Sequence, residues 1–302
     1  MHIDFIIFLS RKMTPSDFEF IDGVFFRDVS VPAIANKIIV AIKIPDPVFP
    51  ETIEVSTSLI HEFKPARPLS VQLMSVIMKM FEKRDRRIAH AHKEVNGENK
   101  NYNQYKRSYF LSVDFFRMLV VDPLNDALLE EYFPTKRYYA ISLTYINIVN
   151  NDILYSLFRF DIEIALTVNR LYLLEKVNDN EDCYCLIIVD FTKKQLYYID
   201  PKCEVVDHVT DRAKEVSVLL NTFLDRHIED DDDLLRHGPW KISNTIEKMH
   251  FPRLQNDFDS GMYVFLIMYF CVFECPVVFD HDDIICMRKQ LAYWILKEYL
   301  PM

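Results

Sequence analysis

The chain lacks the patterns that most directly reveal a ligand. Its formal net charge is −10 at pH 7 and its basic residues form no stripe, which argues against a general affinity for nucleic acid. Its six cysteines include no C-x-x-C pair, so a zinc ribbon is excluded and we expect neither a metal nor a cofactor. Only four residues are glycine, and one of them, Gly261, directly precedes a long apolar run.

Two apolar runs are too short to direct the chain into a membrane. Residues 5–9 follow Asp4 and are shorter than the core of a signal peptide, so they predict a strand. Residues 262–273 are stopped by Glu274 and Pro276, well short of the roughly 20 residues that cross a bilayer, and predict a buried helix. We therefore expect an intracellular protein of the nucleus or cytoplasm, with reduced cysteines.

The distribution of apolar residues predicts an α+β protein. Half of the residues are apolar, which is enough to bury a sizeable core. Residues 1–64 carry short apolar stretches between prolines and predict an N-terminal extension of short strands. Residues 65–302 mix helices and strands without a strict βαβ alternation, and we assign them to one domain.

Periodicity predicts the order of the elements in that domain. Apolar residues recur at helical spacing from Pro68 onward, whereas β-branched and aromatic runs in the middle of the chain predict strands. The predicted helices are 68–87, 110–121, 211–226, one opened by Ser260, and 283–299. The predicted strands are 160–169, 170–177, 183–191, 194–201 and one near 238–243. Loops are predicted at 90–107 and 229–233, with a hairpin turn at 191–194.

Three segments resemble a known family in order and in spacing. They are "CYCLIIVDF" from Cys183, "QLYYID" ending at Asp200, and "LQNDFDSG" from Leu254 to Gly261. They are similar to the cysteine proteases that process and remove SUMO and related ubiquitin-like modifiers, the sentrin-specific proteases of peptidase family C48. The resemblance spans about residues 65–300 and implies a papain-like or adenain-like fold, in which a central mixed sheet is flanked by helices.

The family's pattern joins four chemical roles. A His-Trp pair opens one strand, an aspartate ends the next, and a Gln-x-Asn-x-x-Asp-Cys-Gly segment opens a buried helix. The cysteine thiolate attacks a carbonyl carbon, the imidazole keeps the thiolate ionised and protonates the leaving amine, and the aspartate orients the imidazole. The glutamine donates to the oxyanion, and the helix N-terminus favours the thiolate.

Most of these roles are lost when the pattern is laid on this chain. The family's histidine falls on Cys183, its tryptophan on Tyr184, its oxyanion glutamine on Leu254 and its cysteine on Ser260. Only the catalytic aspartate survives, as Asp200. An engineered cysteine-to-serine trap would keep the histidine and the glutamine, so the resemblance implies a degenerate member.

The residues around these positions are retained in part. Asn256, Asp259 and Gly261 match the family's helix-opening segment and are assigned to binding positions. The family's Trp-Leu-Asn/Ser-Asp stretch corresponds to residues 68–71, "PLSV", which lack its tryptophan and its aspartate. Aromatic walls define the family's narrow channel for a Gly-Gly tail, so these changes argue against an intact channel. For Ser260 we expect a structural role, as a cap on the N–H groups of the following helix.

Three functional hypotheses follow from the resemblance. The first, which we favour, is an inactive pseudoprotease that binds a SUMO- or ubiquitin-like protein or another protein. The second is an active cysteine-type peptidase or deSUMOylating isopeptidase that uses non-standard residues. Its nucleophile would be Ser260, Cys183 or Cys185, and its base a histidine brought from elsewhere in the chain: His208, His227, His237 or His250. The third is a remnant with no retained partner.

Overall fold

A computed structural model describes most of the domain predicted from the sequence. The described residues are 15, 19, 38–44, 51–96, 107–111, 113, 116, 120, 168–178, 181–202, 210–227, 240–246 and 249–297. The predicted acidic loop at 229–233 lies outside the described residues. So do residues 5–9, Cys203, His208 and His237.

Within the described residues, seven strands form two sheets. They are β1 (Ile38–Ile44), β2 (Glu51–Ser56), β3 (Arg107–Phe110), β4 (Val168–Asn178), β5 (Glu181–Asp190), β6 (Gln195–Ile199) and β7 (Lys241–Ser243). Strands β1 and β2 pair as an antiparallel ribbon. The other five form a sheet in chain order, in which β4, β5 and β6 are antiparallel and both outer strands pair in parallel. The central sheet is therefore mixed, as predicted.

Helices cover both faces of the central sheet. They are α1 (Thr57–His61), α2 (Val71–Asn96), α3 (Asp211–His227), α4 (Ser260–Val272) and α5 (His281–Leu296). Because side chains alternate along a strand, β5 feeds two cores. Tyr184, Leu186 and Ile188 pack with α2, α4 and α5, whereas Cys185 and Ile187 pack with α3. The predicted α+β fold, with a mixed sheet between helices, is confirmed.

Helix α4 is the centre of the larger core. Its residues from Ser260 to Cys271 are all buried, so it has no polar face. A helix that is apolar all round must be covered on every side, and here the sheet, α2 and α5 provide the cover. Its predicted nature as a buried helix is confirmed.

Three predicted elements differ from the structure. Residues 90–96 were predicted as a loop but continue α2, because they are polar yet contain neither proline nor glycine before Gly97. The strands predicted at 160–169 and 170–177 meet within one strand, β4, which runs from Val168 to Asn178 without a break. Strand β3 precedes the helical residues 113, 116 and 120, so the helix predicted from Phe110 begins later.

The segment before α2 joins the same core as the main domain. Val55, Leu59, Ile60 and Phe63 are buried against α2, α4 and α5. The strands predicted for this part of the chain are present as β1 and β2, and α1 follows them. The boundary assigned at residues 64 and 65 remains a prediction.

A buried acid fixes α3 against the sheet. Glu175 of β4 is 3% exposed, and its carboxylate accepts hydrogen bonds from the Tyr198 hydroxyl at 2.8 Å and from Arg212 Nε at 2.8 Å. Arg212 also pairs with the exposed Glu215 at 2.9 Å. A buried carboxylate is tolerated only when such partners replace its water, so this network sets the position of α3.

We expect the two acids that share Arg212 to contribute very differently to stability. Glu175→Gln should lower the free energy of unfolding by about 2–3 kcal/mol, because the buried position loses its charged acceptor and gains an amide NH2 that faces the donors of Tyr198 and Arg212. Glu215→Gln should lower it by less than about 0.5 kcal/mol, because an exposed ion pair is screened by water. Urea denaturation followed by circular dichroism measures both. Equal effects of the two substitutions would contradict this account of the network.

Candidate active-site remnant

The site forms where β5 extends beyond its neighbour β6. The last pair of the two strands is Leu186 with Ile199, so Tyr184 lies two residues past the end of the ladder. Its backbone N–H donates instead to the Ser260 hydroxyl, at 3.2 Å. Ser260, the first residue of α4, thus supplies the acceptor that β6 does not offer to Tyr184. This hydrogen bond fixes the start of α4 against β5.

Ser260 does not cap α4, and the predicted role was wrong. The N-cap position belongs to Asp259, and Ser260 is already helical, with φ −55° and ψ −42°. A cap residue needs an extended backbone so that its side chain can turn back to the free N–H groups. The one-residue offset instead points the Ser260 hydroxyl at β5.

Cys183 directly precedes Tyr184, whose N–H donates to the Ser260 hydroxyl at 3.2 Å, so Cys183 and Ser260 lie near each other. The Ser260 hydroxyl and the Lys202 ammonium both act to lower the pKa of the Cys183 thiol. Burial raises the pKa of the Cys183 thiol, and this effect outweighs the opposite effects of Ser260 and Lys202. At neutral pH the pair is therefore an uncharged thiol and an uncharged hydroxyl.

Lys202 and Asp257 complete the polar rim of the site. Lys202 Nζ lies 3.0 Å from Asp257 Oδ1, and both side chains are partly exposed. The contacts with Asp257 and Cys183 raise the pKa of Lys202 despite its partial burial, so its amine is protonated and cannot serve as a base. Neither residue was predicted from the sequence. The sequence indicated them only by position: Lys202 directly follows Asp200-Pro201, and Asp257 lies just before α4.

Asp200 lies at the end of β6, where the register places the family's aspartate. Its Oδ1 accepts the backbone N–H of Lys202 at 2.8 Å, which forms a turn around Pro201. Its charge also contributes to raising the pKa of Cys185, whose thiol is buried on the other side of β5. The turn supplies a structural reason for an aspartate at this position.

Leu254 lies next to this turn but presents no polar group. Its backbone N–H donates to the Pro201 carbonyl at 3.1 Å, and its side chain packs into the larger core. A glutamine here could aim an amide toward Ser260, whereas an aliphatic side chain can only exclude water. Leu254, which the sequence register aligns with the family's oxyanion glutamine, therefore supplies no oxyanion donor from its side chain.

Asp259 is held by a buried arginine that the sequence did not reveal. Arg288 of α5 is 1% exposed, and its Nη2 donates to Asp259 Oδ1 at 2.7 Å and to the Phe258 carbonyl at 3.0 Å. Its Nη1 donates to the carbonyls of Glu62 at 3.1 Å and Lys64 at 3.4 Å. Burial lowers the pKa of Arg288, but the guanidinium remains charged because its ordinary pKa is far above neutral. The side chain of Asp259 thus fixes the chain instead of facing a ligand.

Close packing favours glycine at position 261. A Cβ there would lie 3.2 Å from Leu69 Cβ, from Leu69 Cδ1 and from Met74 Sδ, tighter than nine in ten real Cβ contacts. The Tyr184 hydroxyl donates to the Leu69 carbonyl at 2.9 Å in the same region. Leu69, within the segment that lacks the family's tryptophan and aspartate, therefore packs against the start of α4.

The other predicted positions are Asn256 and the four candidate histidines. Asn256 is exposed and opens the short 3-10 helix at Asp257–Asp259. Of the four histidines considered as bases, His250 is exposed and its backbone pairs with Val278. His227 ends α3, while His208 and His237 lie outside the described residues.

Known proteins with the same fold are SUMO proteases. A search of family models finds no match. Ubiquitin-like-specific protease 1 of Saccharomyces cerevisiae is 26% identical over 126 residues, which is 41% of this chain and 18% of that protein. The C-terminal Ulp1 protease domain in complex with Smt3, the yeast ortholog of SUMO, is 14% identical. The match covers 95% of this chain and 96% of that chain, with a TM-score of 0.56.

A second solved SUMO protease domain has a fold similar to that of this chain. The Chaetomium thermophilum Ulp1-like SUMO protease catalytic domain matches 96% of this chain and 92% of its own length, with 11% identity and a TM-score of 0.58. The chain therefore has the fold of a cysteine-protease domain. More particularly, its fold is that of the Ulp1 SUMO protease domain, and the resemblance predicted from the sequence is confirmed.

Among the helices described, none is long and apolar enough to cross a bilayer. Within the same residues, no three histidine, cysteine or acidic side chains form a cluster that could hold a metal ion.

Removal of the Ser260 hydroxyl should cost stability, since it is the acceptor for Tyr184. We expect Ser260→Ala to lower the free energy of unfolding by about 1–2 kcal/mol, because the buried N–H of Tyr184 loses this acceptor. Ser217→Ala is the matched control. Ser217 is also buried, but its partner Asn221 Nδ2 keeps the Ser217 carbonyl as an acceptor at 2.8 Å. Chemical denaturation compares the two variants, and a Ser260→Ala variant as stable as the natural chain would refute the structural role.

Proposed function

We propose that this protein is a pseudoprotease: a domain with the Ulp1 fold that has lost peptidase activity and binds a protein partner such as a SUMO-like modifier. The observation that carries the proposal is the buried hydrogen bond from the Tyr184 N–H to the Ser260 hydroxyl, which brings Ser260 to the residue that follows Cys183. In the register proposed from the sequence, Cys183 and Ser260 correspond to the family's base and nucleophile, and neither side chain supplies the chemistry of that role. We place the protein in the nucleus or cytoplasm, and the five described cysteines, all free thiols, support this.

The chemistry of the pair supports the loss of activity. A serine nucleophile needs a neighbour that takes its proton and later returns it, and a thiol of raised pKa does neither at neutral pH. Lys202 is protonated and Leu254 offers no donor to an oxyanion. Loss of a triad member or an oxyanion donor lowers the rate about 10²–10⁶-fold, so these losses together leave little above the uncatalysed rate.

The retained architecture supports a binding role. The core around α4 is packed without interruption, and the buried Arg288 still orders the segments beside the site. Drift without selection would be expected to damage such packing, because most substitutions destabilise a protein. The Ulp1 domain of the same fold was solved in complex with Smt3, which makes a SUMO-like protein the first partner to test.

The alternative is an active peptidase that uses non-standard residues. We expect the natural chain neither to cleave modifier–fluorophore substrates nor to form an adduct with a modifier that carries an electrophilic tail. Ser260→Ala is the matched control, since it removes the hydroxyl at the nucleophile position. Mass spectrometry detects any adduct. An adduct of the natural chain that is absent from Ser260→Ala would establish activity and sink the proposal.

Binding is tested by titrating labelled SUMO-like and ubiquitin-like modifiers against the protein. We expect saturable binding to at least one of them, with a Kd of about 1–100 μM, by fluorescence anisotropy. Absence of binding to every modifier at high micromolar concentration would remove the modifier as the partner.

Two lysine substitutions test where on the domain the partner binds. Lys202 lies at the rim of the site, whereas the exposed Lys241 pairs with Gln195 at the opposite end of β6. We expect Lys202→Glu to weaken modifier binding about tenfold, or 1.4 kcal/mol, and Lys241→Glu to leave it unchanged. The reverse order of effects would place the partner elsewhere on the domain.

A further inference from the structure

The Ser260 hydroxyl is enclosed. Ser260 and Tyr184 are fully buried, and Cys183 is 2% exposed. A carbonyl carbon must come within about 3–3.5 Å of its nucleophile to react. Within the part of the chain that the structure describes, burial leaves no open path by which a peptide bond could come that close to Ser260.

Tyr184 bridges two sides of the site through its backbone N–H and its side-chain hydroxyl. Its N–H donates to Ser260 Oγ at 3.2 Å, and its hydroxyl donates to the Leu69 carbonyl at 2.9 Å. Both bonds are buried. One is made to the start of α4 and the other to the residues just before α2, so the tyrosine spans the gap between the two helices. A chain that enters this gap has to break one of these bonds.

The space beside the tyrosine is filled as well. Leu69 is fully buried, and a Cβ at Gly261 would already be 3.2 Å from Leu69 and Met74. An extended peptide needs about 4.7–4.9 Å to each neighbouring chain. The gap between Gly261 and Leu69 therefore cannot admit a peptide unless α2 and α4 move apart.

We propose that the Tyr184–Leu69 contact is a latch that keeps the site closed, so that a SUMO-like partner is held by its folded part with its C-terminal tail left outside. The closed site follows from the two hydrogen bonds of Tyr184 and the packing of Leu69. The proposal that a modifier binds with its tail outside rests on the proposed function.

A thiol placed at the nucleophile position tests the latch without any partner. In Ser260→Cys, the new thiol should react with iodoacetamide at least about 100-fold more slowly than the exposed Cys275 and Cys286, because its labelling requires local opening. Peptide mass spectrometry measures all three rates in one sample. Labelling at position 260 as fast as at Cys286 would overturn the latch.

Two double variants show whether Tyr184 is the residue that slows labelling at position 260. In the Ser260→Cys background, Tyr184→Phe removes the bond to Leu69 but keeps the ring, and should raise the labelling rate at position 260 several-fold. Tyr198→Phe is the matched control, because it removes a buried tyrosine hydroxyl on the other face of the sheet, at Glu175. Circular dichroism checks that each variant is folded. An equal rise in both variants would overturn the assignment to Tyr184.

The manner of binding is tested with two forms of the same modifier, one mature and one truncated before its Gly-Gly tail. We expect their Kd values for the natural chain to agree within about twofold, because the tail contributes nothing. A tenfold preference for the mature form would refute the proposal. If neither form binds, the proposed function and tail-independent binding fail together, while the labelling rates still decide the latch.

Discussion

The buried guanidinium of Arg288 is the constraint on which the geometry of the site depends. It joins α5 to the carbonyls that follow α1 and to the Phe258–Asp259 turn that precedes α4. A charge at 1% exposure is tolerated only when it has a counter-charge and acceptors for most of its donors, so the segments that supply those acceptors cannot shift independently. The start of α4 is thereby fixed by α5 as well as by β5.

This constraint explains why the site keeps its shape without its chemistry. Arg288 fixes Asp259 on one side of the helix start, and the close packing of Gly261 against Leu69 fixes the other. Both residues match the family's motif, yet each has a sufficient structural reason to be there. Ser260 lies between them and needs only to accept one N–H from β5, which a serine does as well as the fold requires.

The sequence predicted the fold well because local patterns carry most of it. Short β-branched and aromatic runs at 183–191 and 194–201 identified β5 and β6, and the continuous apolar run after Gly261 identified α4. The family register predicted that Cys183 and Ser260 belong to one site, and the residue after Cys183, Tyr184, does bond to Ser260. The role of Ser260 was missed because a one-residue offset decides between a cap and a bond to a distant strand. Arg288 was missed because its partners lie about 30 and more than 200 positions away, where no local pattern reaches.

The proposed loss of catalysis and the proposed closure of the site share one physical cause. A working cysteine–histidine pair is an ion pair, and burial of two charges carries a large desolvation cost unless the site supplies compensating dipoles and access to water. A thiol and a hydroxyl carry no such cost, so Cys183 and Ser260 can be packed at 2% exposure or less. Without charges at these positions, the Tyr184 hydroxyl can bond to the Leu69 carbonyl in a buried gap, which stabilises the domain where an open active site would not. Restoration of the catalytic residues alone would therefore place an ion pair in a closed and dry site, and activity would require the gap to reopen as well.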